Sequence, residues 1–145
     1  MKEQAGMPYL VLVDARISPM KLLPLLSILP MGASDTHEQA QLQETGNVYW
    51  IRCNAGERRK GLSVEEAEKT FSSTESGLSL MEGLSLLVQN PSLIKDQYID
   101  LTHAAHQGFD RSAGCLGVWS GRTELRWRWR DYADPRCGTA SKRVI

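Results

Sequence analysis

Net charge is the first thing missing: seventeen Lys and Arg stand against seventeen Asp and Glu in 145 residues. A chain without an overall field exerts no long-range pull on nucleic acid or on an anionic membrane, so composition leads us to expect neither as a partner. Cysteine is scarce as well. Cys53, Cys115 and Cys137 are odd in number and widely spaced, which does not read as a disulfide framework and suits a reducing cytoplasm. Long hydrophobic runs are lacking too. The most apolar stretch, residues 17–31, is broken by three prolines and a lysine and falls short of the roughly 20 residues a membrane helix needs. Residues 1–8 mix charges and hold no apolar segment, so no secretion signal is expected. No glycine-rich loop runs straight from a strand into a helix, so no phosphate cradle and no cofactor are expected. We find no internal repeat and no low-complexity tract.

What is present suffices for one domain over residues 1–145, with a core that needs no staples. Residues 9–13, Tyr-Leu-Val-Leu-Val, are continuously apolar, the pattern of a strand covered on both sides in the middle of a sheet. Ser18-Pro19 opens a helix around Leu22, which Pro24 should bend or end early. Residues 31–46 are polar and read as a long surface loop, and residues 47–54 as a second strand ended by Ala55-Gly56. The cluster Glu57-Arg58-Arg59-Lys60 reads as a solvated connection. Two capping boxes follow, Ser63 with Glu66 and Ser79 with Glu82, each opening an amphipathic helix. The second, with Leu80, Leu84, Leu87 and Val88 on one face and Met81 and Leu86 on others, should be the most buried. Residues 98–102 are a candidate third strand, and residues 103–114 a loop.

Residues 115–129 hold three of the four tryptophans and read as a β-hairpin turning at Ser120-Gly121. In its second strand Leu125, Trp127 and Trp129 share one face, and Arg126, Arg128 and Arg130 the other. One face is built for a core, the other for water or an anion. The expected architecture is therefore α+β, with a mainly antiparallel sheet that includes the hairpin and helices around Leu22, Ala67 and Leu84 on one face. Residues 131–145 lack periodicity and are expected as a loosely packed tail. From residue 111 onward eight Lys or Arg face three acids, and before it nine face fourteen. Such asymmetry fits an anion-binding face, or complementary charge that joins two halves or two subunits.

From Tyr49 onward the order of elements resembles an uncharacterised family of bacterial, mainly actinobacterial, proteins known as a domain of unknown function. The likeness rests on Arg52-Cys-Asn-Ala-Gly56, on Leu78-Ser-Leu-Met-Glu-Gly83, and on a run matching residues 110–141. In that run Asp110-Arg111, Leu116, Gly121-Arg122, Leu125, Trp127-x-Trp129, Gly138 and Ala140-Ser141 stand out. It covers about the last two-thirds of the chain. His106, Gln107 and Gly108 depart from the family pattern, as do residues 132–136, and Arg126 and Arg128 replace uncharged residues. The resemblance implies no activity, cofactor or partner.

Three readings of function remain. No acid, base and nucleophile converge in the sequence, so the leading one is a cytoplasmic, non-catalytic binding or protein-interaction module, with a homodimer among its forms. An enzyme is the alternative, using His103, His106 and Cys115 as a Cys/His pair, or as a zinc site with Cys137. The spacing fits no tight metal signature, and Cys115 inside a strand reads first as a small buried hydrophobe. The third reading is nucleic-acid or anion binding through Arg122, Arg126, Arg128 and Arg130. Alternation sends rings and guanidiniums to opposite faces, so they cannot serve one ligand as neighbours. The arginines are expected to meet carboxylates, within the fold or across a two-fold interface.

Overall fold

The computed structural model describes residues 6–30, 46–104 and 111–145, and the expected loop at 31–46 lies outside them apart from Gly46. The fold is α+β, as expected, but it has two sheets rather than one. Sheet 1 has the order β1-β3-β9-β4, from Tyr9–Asp14 (β1), Val48–Cys53 (β3), Ser141–Val144 (β9) and Ser76–Gly77 (β4). Sheet 2 has the order β2-β7-β6-β5-β8, from Leu29–Pro30 (β2), Arg122–Trp129 (β7), Ser112–Trp119 (β6), Tyr98–Leu101 (β5) and Cys137–Thr139 (β8). Pairing is antiparallel except for β2 with β7 and β5 with β8.

Three helices are described. Pro19–Leu25 (α1) carries its proline at the first turn and stops one residue after Pro24, the early end that a missing amide imposes. Val64–Glu68 (α2) and Leu80–Gln89 (α3) both form the full capping box, with Ser63 and Ser79 accepting from the backbone of Glu66 and Glu82. In α3 residues 80 to 87 are buried without a break, so it is more than amphipathic. It packs on β1 of sheet 1, while its Gly83 lies so close to β5 that a Cβ there would meet a Leu101 methyl at 2.6 Å. The expectation of helices on one face is corrected accordingly: α3 stands between the sheets with α1 against it, and α2 packs on β8.

Two further expectations give way. The apolar strand β1 is an edge strand, not a central one. The stretch 131–145 is no loose tail, because β8 joins sheet 2 and β9 is inserted between β3 and β4 of sheet 1. Its small residues conceal this in the sequence, since Cys137, Gly138, Thr139, Ala140 and Ser141 are all buried in a run too short to show a period. Gly138 lies on the backbone of Gly56, where a Cβ would come within 2.1 Å of the Gly56 carbonyl oxygen.

Candidate functional site

The hairpin turns through Ser120 at φ 50° and Gly121 at φ 76°, a two-residue left-handed turn that matches strand twist. Its register pairs Cys115 with Arg126 and Ala113 with Arg128, and β5 then sets Asp100 opposite Cys115. Leu125 is fully buried and Trp127 packs on the core, as expected of that face. Trp129 departs from the pattern, since at 56% exposure it lies beyond the core's edge.

Each ladder arginine meets an acid of its own chain. Arg126 pairs with Glu124 at 2.7 Å and lies over the Trp119 ring at 4.4 Å. Arg128 lies 3.4 Å from the Asp100 carboxylate and also donates to the Tyr132 carbonyl. Arg130 pairs with Glu68 and donates to the Thr102 carbonyl at 3.0 Å. The side chains of Arg128 and Arg130 are only 10% and 18% exposed against 42% for Arg126, so the three do not form a continuous open row. Arg122 alone of the proposed anion-binding set is open to solvent as a whole residue.

Beneath this ladder lies a cluster that no sequence motif announces. Asp100 is fully buried, and Cys115 and Cys137 are each 2% exposed. Their ligand atoms lie within 4.8 Å of one another, and the two sulfurs are 3.9 Å apart. Burial pushes the Asp100 carboxyl up to about 6, against the pull of Arg128. The Cys115 thiol is pushed well above its ordinary value, first by the neighbouring Cys137 sulfur and then by burial. Cys53 is pushed up to about 12, chiefly by burial. Cys137 moves the other way, lowered chiefly by its hydrogen bond with the Cys115 thiol, so of the three it alone shifts in the direction a nucleophilic cysteine needs.

The histidine candidates do not join this cluster. His103 is exposed, and burial of part of its ring followed by the Lys142 charge lowers its pKa. His106 lies outside the described residues. The structure thus brings Cys115 to Cys137 and to Asp100, a residue that sequence reasoning passed over. The signal was weak, a lone acid between Ile99 and Leu101 in an apolar strand.

A second feature is an open apolar surface on sheet 1. Val11, Val13 and Ile51 are fully buried beneath it, while Leu10, Leu12, Val48 and Trp50 on the outer face are 46%, 38%, 44% and 48% exposed. Leu12 pairs directly with Trp50, Leu10 with Arg52 and Asp14 with Val48, so the four apolar residues form one patch with Arg52 at one end and Asp14 at the other. The Asp14 carboxylate takes Arg16 at 2.8 Å. The free edge of β1 is occupied at its centre, where the Gln89 amide accepts from Leu12 N at 3.2 Å and donates to Leu12 O at 2.8 Å.

Two hollows also open on the described surface. One of about 830 Å³ lies between α1, β2 and the hairpin turn, lined by Leu23, Leu26, Ile28 and Thr123 among others. A smaller one of about 260 Å³ is lined by Asn54, Arg58, Arg59, Glu75 and Arg143. Arg59 and Glu75 are paired within it at 2.9 Å. No helix among the described residues is long and apolar enough to cross a membrane. No family model, no curated protein and no solved structure matches the chain.

Proposed function

We propose that the protein is a non-catalytic interaction module that pairs with a second copy of itself through the outer face of β1 and β3. The observation that carries this reading is the open patch of Leu10, Leu12, Val48 and Trp50 on a strand whose sequence is apolar on both faces. A strand written for burial on both sides, with one side bare, calls for a partner to cover it. Gln89 blocks the middle of the β1 edge, which favours packing face to face over strand addition.

The end charges favour a second copy. A two-fold axis running across the strands lays the Arg52 end of one patch over the Asp14 end of the other, with Leu12 and Trp50 at the centre. The Asp14 carboxylate has lone pairs for a second guanidinium besides Arg16. Two such faces stack about 10 Å apart, the ordinary distance between packed sheets. The ladder arginines, each answered by an acid in its own chain, are left out of the interface. A reducing cytoplasm remains part of the reading, supported by three buried, unpaired cysteines. The likeness to an uncharacterised actinobacterial family adds no substrate to it.

Sedimentation equilibrium is the test. The wild type is expected to dimerise, and Trp50→Asp and Leu12→Asp to be monomeric with unchanged circular dichroism. A wild type that stays monomeric at every concentration overturns the reading. So does a dimer that survives both substitutions.

A further inference from the structure

Asp100 is fully buried, yet no oxygen or nitrogen donor bonds either of its carboxylate oxygens, and the weak Cys115 thiol is the one donor turned toward it. The Arg128 guanidinium approaches to 3.4 Å, a contact rather than a bond, and leaves its own Nε unpartnered. Buried polar groups are nearly always well satisfied, so a buried carboxylate met only by a guanidinium at 3.4 Å and a weak thiol donor points to a ligand that belongs there. The nearest groups on its face are two thiols, Cys115 from β6 on one side and Cys137 from β8 on the other.

We propose that Asp100, Cys115 and Cys137 form a buried binding site for a thiophilic divalent cation of the zinc type. Geometry supports it first. Two thiolates on a tetrahedral zinc with bonds of about 2.3 Å stand about 3.8 Å apart, and the two sulfurs here are 3.9 Å apart. The carboxylate oxygen is within 4.8 Å of both, close enough for small rotations to bring it onto a shared ion. Charge supports it next. A dication with two thiolates and one carboxylate carries one net negative charge, and Arg128 on the carboxylate cancels it. Binding releases the two thiol protons to solvent, so atoms and charge balance without any oxidant.

A disulfide is the competing use of two neighbouring thiols. Strand β5 lies between β6 and β8, which sets the two Cα atoms about two strand spacings apart, roughly 9 Å. That exceeds the about 7 Å limit for a bridge, so oxidation requires a strand to move. A metal needs no such movement. The site also differs from a zinc site built on His103 and His106, because its third ligand is a carboxylate in the strand between the two cysteines.

The experiment uses the full chain, unfolded with chelator and reductant and refolded with cobalt(II) or zinc as the probe. One equivalent of metal per chain is expected, with thiolate-to-cobalt charge-transfer absorption and a Tm raised by several degrees. Cys137→Ala and Cys115→Ala should each abolish the absorption, Asp100→Asn should weaken cobalt binding at least tenfold, and Cys53→Ala should leave it intact. Should the cysteine variants not refold, the wild-type titration still decides. Uptake below a tenth of an equivalent with unchanged Tm overturns the proposal, as does charge-transfer absorption that persists in the Cys115→Ala, Cys137→Ala double variant.

Discussion

At the scale of single residues, stability rests on buried charges that share partners. Glu82, 2% exposed, accepts from Tyr49 Oη at 2.8 Å and from its own cap at Ser79 N at 2.9 Å, and it pairs with Lys142. Glu82→Gln keeps the shape but leaves the Lys142 ammonium without its counter-charge, a loss of the kind that costs about 3 kcal/mol. Urea denaturation should register it as a lower midpoint with an unchanged slope. Glu75 is the acid to watch on titration. Burial raises its carboxyl, but hydrogen bonds from Ser141 and Arg59 outweigh that and hold it below 4.5. A depressed carboxylate lends stability above its unfolded value, and that contribution is lost as pH falls through the folded one. Glu75→Gln should therefore flatten part of the acid limb of a Tm against pH profile, below about 4.5. Gly138→Ala asks for space that the Gly56 carbonyl already fills, with an expected cost of about 1–3 kcal/mol by the same urea assay.

At the scale of elements, the local rules read well wherever a signal lies within a few residues. Both capping boxes and the hairpin turn were legible because each is a pattern of neighbours. Ser79→Ala removes the cap of α3, whose residues 80 to 87 are buried, and should lower stability by about 1 kcal/mol in thermal melts. The face assignment in β7 held for Leu125 and Trp127 but not for Trp129, because alternation says which side a residue points to and not where the covering layer ends. The ladder arginines were expected to meet carboxylates, and do so within the chain, but which acids they meet is a matter of tertiary distance. Asp100 and Cys137 are brought together with Cys115 by strands from three separate parts of the sequence, so no spacing could reveal them. The strand β1 was misplaced for a related reason: its apolar run records that both faces want cover and is silent about what supplies it.

At the scale of the molecule, residues 137–145 bind the two sheets into one body. β8 pairs with β5 in sheet 2, Ala140 is fully buried at the crossing, and β9 pairs with both β3 and β4 in sheet 1. Deleting 137–145 should therefore abolish the cooperative unfolding transition altogether rather than lower its midpoint, as followed by near-ultraviolet circular dichroism through the tryptophans. The same arrangement has a meaning during translation. β3 is synthesised some ninety residues before β9, the strand that lies next to it. In the interval the eight-residue buried run of α3 is synthesised while sheet 1 still lacks β9 and sheet 2 holds only β2. Chains emerge at about 5–20 residues per second, so this greasy helix spends seconds unsheltered on every nascent chain.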